Sequence, residues 1–305
     1  MSQLRFDNRV AVITGSGRGL GRAYAELLAS RGAKVVINDP GSSMKGEGID
    51  VGPAEEVVRA IKGAGGNAVA NTDSVATADG GKKIIQSALD HYGRIDILIH
   101  NAGNVRRGSL KEMSYDDFDA VLDVHLRGAF FVVRAAFPHM AQAKYGRVVL
   151  TSSIAGLYGG QNITNYATSK TGMIGMSNVI AMEGAVVNVK SNCIVPGAVT
   201  RMSEGIDTSQ FPPMGPEMVA PVVGWLSHES CSVSGELYAS IAGRIARVYV
   251  AESRGVYRPS WSIEDVAQNI DAIRSESAPW VIPPLPLGQF GHIQKSFEMV
   301  RRGGK

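Results

Sequence analysis

The chain has 305 residues, of which 44% are hydrophobic and 19% charged, with a formal net charge of +3. That balance excludes an extended polar chain, and the lysines and arginines are scattered rather than gathered into the basic stripe that a nucleic-acid surface needs. No apolar run reaches the length of about 18 residues that crosses a bilayer, so the sequence predicts a soluble globular protein that binds neither nucleic acid nor membrane.

The cysteine content and the first residues indicate whether the protein is exported or stays in a reducing compartment of the cell. Cys193 and Cys231 are the only cysteines, which are too few for a disulfide framework and give no metal-ligand spacing. The first residues pass into an apolar strand pattern within ten positions, which leaves no room for a secretory signal peptide. We therefore expect reduced thiols, no metal site and a protein that is not exported.

Short β-branched runs alternate with longer amphipathic patterns as far as about residue 240, as expected for βαβ units. The predicted strands are Val10–Thr14, Lys34–Asp39, Ala68–Asn71, Ile95–His100, Arg147–Ser152, Ser191–Val195 and Leu237–Ala239. Helices are predicted to begin near Leu20, Pro53, Thr77, Tyr115, Asn165 and Pro216. The pattern predicts an α/β fold with one doubly wound, seven-stranded parallel sheet in residues 1–244.

A glycine-rich turn directly follows the first predicted strand. Glycines at such a place let backbone amides approach a pyrophosphate at a helix N-terminus, where exposed N–H groups favour an anion. The alternative is a simple tight turn. The candidate dinucleotide ligands in this turn are Gly15, Ser16, Arg18, Gly19, Leu20 and Gly21.

An acidic residue closes the second predicted strand. Asp39 lies 18 residues beyond Gly21, where a carboxylate can accept hydrogen bonds from the adenosine ribose hydroxyls of a dinucleotide. Its alternative role is that of a turn residue before Pro40, where a glycine-rich insertion over residues 40–52 begins. The turn and the acid together predict a Rossmann-like nucleotide site.

Tyr166 and Lys170 lie four residues apart, on one face of a predicted helix. A neighbouring cation favours the phenolate and lowers the pKa of a tyrosine, so Tyr166 is a feasible general base. Ser153 follows the fifth strand, 13 residues before Tyr166, where its hydroxyl could hold a substrate oxygen. The alternative for a serine after a strand is a helix cap.

These motifs, in this order and at this spacing, resemble those of the short-chain dehydrogenase/reductase family. The likeness rests on the turn after Thr14, Asn101-Ala102-Gly103, Ser153, Tyr166-x-x-x-Lys170 and Pro196-Gly197. It implies Tyr166 as acid/base, Lys170 as its pKa modulator and ribose ligand, and Ser153 as the group that orients the reacting oxygen. It implies a nicotinamide cofactor, which the Asp39 carboxylate predicts to be NAD. The further predicted ligands of this cofactor are Asp39, Asp73, Ser74, Asn101, Ala102, Gly103, Pro196, Gly197, Val199 and Thr200.

One position departs from the family pattern. The usual catalytic tetrad includes an asparagine in the long helix after Asn-Ala-Gly, and His125 occupies the corresponding place. We expect a structural histidine there. Without that asparagine, a proton relay through a water molecule that it would hold is in doubt. The predicted roles of Ser153, Tyr166 and Lys170 are unaffected.

Further stretches resemble one branch of the family, the (3R)-hydroxyacyl-CoA dehydrogenase units of peroxisomal multifunctional enzymes type 2. They are the insertion after Asp39 and residues 70–75, 125–128, 144–147 and 225–231. This likeness implies NAD-dependent oxidation of a (3R)-3-hydroxyacyl-CoA to the 3-oxoacyl-CoA, by a homodimer or homotetramer. Residues 245–305 extend beyond the family core, and we expect them to pack on the domain or on a partner subunit.

The sequence leaves alternatives open. Arg18 lies where some NADP-dependent relatives keep a basic residue, which favours an NADPH-dependent 3-oxoacyl reductase, whereas Asp39 would repel a 2′-phosphate and favours NAD. A hydroxysteroid dehydrogenase acting on a free steroid and a catalytically silent nucleotide-binding scaffold are the other candidates. Arg106 and Arg107 are candidate ligands for coenzyme A phosphates. Because the chain does not end in the peroxisomal signal Ser-Lys-Leu, we expect a cytoplasmic enzyme.

Overall fold

The computed structural model describes residues 3–203, 207 and 209–301. The chain divides into two compact units, Met1–Arg247 and Val248–Lys305. The last three residues, Gly303-Gly304-Lys305, on which the expectation of a cytoplasmic protein depends, lie outside the described residues.

No helix within the described ranges is both long enough and apolar enough to span a membrane.

A large sheet forms the centre of the first unit. Its strands are β1 (Val10–Thr14), β2 (Lys34–Asn38), β3 (Asn67–Asn71), β4 (Ile97–His100), β5 (Gly146–Thr151), β6 (Val189–Gly197), β7 (Leu237–Ile241) and β8 (Arg244–Val248). They lie in the order β3-β2-β1-β4-β5-β6-β7-β8, and the pairings between neighbours from β3 to β7 are all parallel. β1 and β4 are buried along their whole length, which explains their continuous apolar sequences. The predicted doubly wound α/β sheet is confirmed.

Among the described residues, the sheet has one strand more than the seven predicted. β8 follows β7 through a two-residue turn, Ala242-Gly243, in which both residues have positive φ, 49° and 80°. Two-residue turns of this kind join antiparallel strands. β8 is largely exposed at the sheet edge and carries two arginines, so it lacks the apolar run that marks the buried strands.

Two groups of helices flank the sheet. They are α1 (Gly19–Ser30), α2 (Gly52–Gly63), α3 (Ala78–Tyr92), α4 (Tyr115–Leu122), α5 (Gly128–Gln142), α6 (Ile154–Tyr158), α7 (Thr164–Gly184) and α8 (Ala220–Ser227). α1 packs against α2 and α8, while α3 packs on α5 and α4 on α7, as in a sheet covered on both faces. The helix predicted near Pro216 begins as a 3₁₀ turn over Pro216–Met218, and α8 follows it.

A π-helical turn, Asp123–Arg127, joins α4 to α5 without a break. Ser114 starts this long helix by accepting a hydrogen bond from the Asp117 N–H at 3.1 Å. π-helical turns occur frequently at functional sites, and this one contains His125, the residue that departs from the family pattern.

The second unit contains short elements. They are β9 (Ala251–Glu252), α9 (Ile263–Gln268), α10 (Ile270–Ile273), β10 (Trp280–Val281) and α11 (Gln289–Arg301), with β9 and β10 antiparallel. The sequence predicts one helix over Ser262–Ile273. Two are present, because Asn269 leaves the helical conformation between them. That this segment packs on the domain or on a partner subunit stays a prediction.

Candidate active site

The glycine-rich turn packs tightly against the loop after β4. Gly15 and Gly19 have positive φ, 62° and 53°. A Cβ on Gly15 would lie 2.7 Å from the Ala102 Cα, and one on Gly21 would lie 2.3 Å from the Gly15 carbonyl oxygen. These positions therefore require glycine. Within the described chain no side chain caps the 12-residue helix α1, so its first N–H groups are available to an anion.

A cavity of about 240 Å³ opens beside this turn. The structure brings ten of the predicted cofactor ligands to its wall: Gly15, Arg18, Gly19, Leu20, Asp39, Ser74, Asn101, Ala102, Gly103 and Thr200. The sequence analysis missed Arg201 and the wall supplied by the insertion, which includes Ser42, Ser43 and Gly46. The only sequence signal for the wall formed by the insertion is its position directly after Asp39, whereas Arg201 is marked only by its place directly after the predicted ligand Thr200.

Other predicted ligands stand apart from the described wall of this cavity. The Ser16 hydroxyl is buried and donates to the Ile13 carbonyl at 2.7 Å. The Asp73 carboxylate accepts from the Asn71 amide at 2.8 Å. Three further predicted ligands, Pro196, Gly197 and Val199, lie at or just beyond the end of β6, next to Thr200 of the wall.

Asp39 is held firmly at the edge of the cavity. One carboxylate oxygen accepts from the Gly17 N–H and the other from the Gly41 N–H, both at 2.8 Å. Arg18 and Arg201 line the same cavity, and Arg201 donates to the Ser42 carbonyl at 3.3 Å. The cavity thus presents one fixed carboxylate and two guanidinium groups.

Ser153, Tyr166 and Lys170 meet where β5 ends and α7 begins. The Lys170 ammonium is buried, donates to the Thr151 carbonyl at 2.7 Å, and lies 5.4 Å from the centre of the Tyr166 ring. Ser153 caps α6, because its hydroxyl oxygen accepts from the Ala155 N–H at 3.2 Å. The same hydroxyl is hydrogen-bonded to Tyr166, so Ser153 both caps the helix and lies beside the tyrosine.

Burial sets the protonation of this group in the ligand-free chain. It lowers the pKa of the Lys170 ammonium to about 7. It raises the pKa of the Tyr166 phenol, while a hydrogen bond with Ser153 and the charge of Arg107 act in the opposite direction. The net shift for Tyr166 is therefore opposite to the one expected from the Tyr-Lys pair alone. The Tyr166 phenol is therefore protonated at neutral pH in the ligand-free chain.

His125 packs directly on the ring of Tyr166. Its ring meets the Tyr166 ring edge to face, with centroids 5.2 Å apart. Nε2 lies 2.8 Å from the Asn104 carbonyl oxygen and 3.1 Å from the Asn104 nitrogen, while Nδ1 is buried without a hydrogen-bond partner among the described residues. Burial, together with the nearby Lys170 charge, holds the pKa of His125 well below its ordinary value. His125 is consequently a neutral ring against the phenol.

A second buried histidine links the glycine-rich turn to the π-helical turn. His100 Nε2 lies 3.0 Å from the His125 carbonyl oxygen, and His100 Nδ1 lies 3.1 Å from the Thr14 hydroxyl. Since a carbonyl only accepts, Nε2 carries the proton and Nδ1 accepts from Thr14. The Thr14 oxygen in turn accepts the N–H groups of Asn101 and Ala102. The sequence analysis missed His100, whose one signal is that it precedes Asn101-Ala102-Gly103.

Asn101 stabilises the same junction. Its side-chain amide donates to the Gly15 carbonyl oxygen at 2.9 Å. This contact fixes the loop after β4 on the glycine-rich turn, so Asn101 shapes the cavity wall that it also lines.

A parallel sheet with a glycine-rich turn at a helix N-terminus, a fixed acid after β2 and a Ser-Tyr-Lys group defines a dinucleotide-dependent oxidoreductase. Comparison with known proteins agrees. The sequence profile described as short chain dehydrogenase matches residues 9–210, and the chain belongs to the short-chain dehydrogenase/reductase family. It is an enzyme of that family, whose members bind a nicotinamide nucleotide.

Three relatives illustrate the range of similarity. The peroxisomal multifunctional enzyme type 2 of Drosophila melanogaster is 47% identical over 260 residues, which are 85% of this chain and 43% of that protein. Its full-length structure aligns with a TM-score of 0.80 and 37% identity, covering 99% of this chain and 51% of that one. A putative short-chain type dehydrogenase/reductase of Mycobacterium tuberculosis is 44% identical over 266 residues, 85% of this chain and 92% of that protein. A 3-oxoacyl-[acyl-carrier-protein] reductase of Synechocystis is 34% identical over 247 residues, covering 78% and 97% respectively. The chain thus spans about half of the length of the fly enzyme that it matches.

Proposed function

We propose that the protein oxidises the 3-hydroxyl group of a (3R)-3-hydroxyacyl-CoA to the 3-oxoacyl-CoA, with NAD as cofactor. The observation that carries the proposal is the convergence of Ser153, Tyr166 and Lys170 at the carboxyl edge of the sheet, where open α/β sheets bind ligands. The likeness to the multifunctional enzymes supports the acyl-CoA substrate, and a relative whose name specifies a 3-oxoacyl carrier-protein substrate supports an acyl thioester.

The residues of the cavity fit a dinucleotide. Gly15 and Gly21 leave no room for a Cβ, and the open N-terminus of α1 offers N–H groups for the pyrophosphate. Asp39 would accept from the adenosine ribose, Asp73 and Ser74 would lie at the adenine, and Thr200 would meet the nicotinamide carboxamide. When bound, the nicotinamide supplies the hydride acceptor.

The side chains of this protein would manage the proton and the substrate oxygen. Ser153 Oγ would hold the carbinol oxygen in place, and Tyr166 Oη would take the hydroxyl proton. Burial raises the pKa of the Tyr166 phenol, and a charged Lys170 ammonium, close to the Tyr166 ring, would oppose that shift and favour the phenolate that this transfer requires. His125 would restrict the phenol to one orientation through their edge-to-face contact.

Cofactor choice is tested by comparing kcat/KM for NAD and NADP. Because the Asp39 carboxylate would meet a 2′-phosphate with like charge, we expect a preference for NAD of about 10–100-fold, and Asp39→Ala should reduce it. The rival, an NADPH-dependent 3-oxoacyl reductase, is favoured by Arg18 and Arg201 in the same cavity. Equal kcat/KM values would mean that Arg18 rather than Asp39 sets the choice, and a preference for NADP that Arg18→Ala abolishes would decide for the rival.

Substrate class is tested with a matched panel. A (3R)-3-hydroxyacyl-CoA should be oxidised far better than the corresponding free acid, and the (3S) epimer should be nearly inert. A free hydroxysteroid turned over as efficiently as the best CoA ester would favour the steroid alternative while leaving the dehydrogenase mechanism in place. We also propose a cytoplasmic homodimer or homotetramer, which light scattering and imaging of the tagged protein would examine.

A further inference from the structure

The insertion after β2 folds into a finger, residues 40–50, that is closed by its own hydrogen bonds. At its base the Asp50 N–H donates to the Pro40 carbonyl at 2.8 Å. Farther out, the Ser43 N–H donates to the Glu47 carbonyl at 2.8 Å. Because these backbone groups are paired within the segment, the insertion finger keeps a defined shape and can dock as a unit.

The tip of the insertion finger docks on the loop after β4. The Val105 N–H donates to the Met44 carbonyl at 3.0 Å, and the Arg106 Nε–H donates to the Lys45 carbonyl at 3.1 Å. Two consecutive residues of the tip are thus bonded to two consecutive residues of the loop.

Arg106 joins this contact to the rest of the site. Its guanidinium also donates to Asp117 of α4 at 2.9 Å and lies 3.4 Å from Glu47 of the finger. Its carbonyl accepts from the Asn165 side-chain amide at 3.0 Å, one residue before Tyr166. With two carboxylate partners, the charge of Arg106 is met within the chain, which argues against the predicted contact with a coenzyme A phosphate.

The order of the strands shows what the insertion finger passes over. β1 lies between β2 and β4 in the sheet. A segment that leaves the end of β2 and docks on the loop after β4 therefore crosses the end of β1, where the glycine-rich turn leads into α1. The cavity wall agrees, because Ser42, Ser43 and Gly46 of the finger line the same cavity as Gly15 and Gly19 of the turn. This turn is where a dinucleotide pyrophosphate would bind.

We propose that the insertion finger closes over the pyrophosphate of the nicotinamide cofactor, and that Arg106 is the positioning residue that holds the finger there. Ser42, Ser43 and Gly46 then lie against the bound phosphates, and release of the cofactor requires the tip to leave the loop after β4. The inference rests on the nicotinamide nucleotide that the family binds. It depends neither on the acyl-CoA substrate nor on the choice between NAD and NADP.

Limited trypsin digestion reports the position of the insertion finger directly. Lys45 is exposed at the tip, and a protease cleaves a loop that opens locally. Bound NADH, or NADPH if the wild type prefers it, should slow cleavage after Lys45, as followed by mass spectrometry. In the ligand-free protein, Arg106→Met should speed this cleavage about 5–30-fold, because it removes the donors that hold the tip. Cleavage that the cofactor does not slow would overturn the proposal.

Binding measurements without substrate locate the contact on the cofactor. The ligands are adenosine, ADP and the reduced cofactor. Arg106→Met should weaken ADP and the cofactor about 5–30-fold, and should leave adenosine, which has no phosphate, almost unchanged. The dissociation rate of the reduced cofactor in stopped flow should rise by a similar factor. Arg106→Lys should keep part of the affinity, since an ammonium retains the charge but not the fixed fork of donors.

A second variant loosens the tip from the side of the finger. Gly46 has a φ of 85°, and a Cβ there would lie 2.8 Å from the Asn104 amide nitrogen, so Gly46→Ala should act as Arg106→Met does. Gly48→Ala is its matched control, because φ is similar at 79° but the added Cβ has no described atom within 4 Å. Lys111→Met removes an exposed cation from the region after β4 and controls for charge. Both controls should bind ADP and the cofactor nearly as the wild type does.

The outcomes separate a positioning role from a merely structural one. Unchanged cofactor affinity and unchanged cleavage at Lys45, in variants whose thermal melts match the wild type, would overturn the proposal. An equal loss of adenosine affinity would also overturn it, because it would show general damage to the site. If Arg106→Met does not fold, Gly46→Ala and the protection of the wild type by cofactor decide. Failure of the proposed acyl-CoA oxidation would appear only in assays that contain substrate, and these measurements contain none.

Discussion

Lys170 is expected to destabilise the ligand-free chain, and Lys170→Met measures by how much. Burial lowers the pKa of its ammonium from 10.5 to about 7, so between these values the unfolded chain binds more protons than the native chain. Stability therefore rises with pH through that window, and the cost of the buried charge is greatest at pH 7 and below. At pH 7, where about half of the native Lys170 side chains have lost the proton, the shift corresponds to roughly 4 kcal/mol, from which the lost hydrogen bond to Thr151 subtracts about 1–3 kcal/mol.

Urea denaturation of the ligand-free protein at several pH values tests this reasoning. At about pH 7, Lys170→Met should unfold at higher urea, with a gain of roughly 1–3 kcal/mol, and the gain should vanish or reverse by about pH 10. The same variant should lose turnover. Lys62→Met, on the exposed face of α2, is the control and should show no such pH dependence. A Lys170→Met variant that is less stable at pH 7, or whose advantage does not change with pH, would refute the argument.

Three further predictions concern the site. Tyr166→Phe should remove nearly all turnover and leave NAD affinity, measured by titration, almost unchanged; retention of about a tenth of wild-type kcat would show that Tyr166 is not the base. Burial lowers the pKa of His100 from 6.5 to about 3, so between these pH values only the unfolded chain binds a proton at this residue and acidification should destabilise the protein. His100→Asn should reduce this loss of stability with falling pH, as measured by urea denaturation at several pH values. An unchanged pH dependence in the variant would contradict this prediction. Gly21→Ala would place a Cβ 2.3 Å from the Gly15 carbonyl oxygen and should weaken NAD binding at least about tenfold, whereas Gly63→Ala, with no atom within 4 Å of the added Cβ, should bind NAD as the wild type does.

The strands that could be predicted from the sequence are those that the fold buries. β1 and β4 are apolar at nearly every position, and turn residues such as Gly15 and Gly32 mark the element ends. β8 could not be found this way, because its place at the sheet edge lets arginines stand where a buried strand needs apolar residues. The division of the predicted helix at Asn269 was equally invisible, since the apolar spacing continues across it.

In the candidate site, the sequence predicts contacts within one element but not contacts between elements that are distant in the chain. Tyr166 and Lys170 belong to one helix, so their spacing alone predicts that they share a face. The surroundings of Arg106 and Arg107 depend on α4 and on the insertion, which contribute the acids that neutralise only the first of them. The contact between His125 and Tyr166 likewise joins two separate helices. Neighbours in space that are distant in sequence leave no local pattern to read.

The π-helical turn at Asp123–Arg127 makes this segment sensitive to its exact count of residues. A π turn holds one residue more than the α-helix it interrupts, and one residue corresponds to about 100° of rotation at 3.6 residues per turn. Deleting a single codon here would allow a regular helix to form, but it would rotate the buried face of α5 away from α3 or remove the His125 carbonyl from His100. We expect substitutions in this stretch to be tolerated more readily than any change in its length.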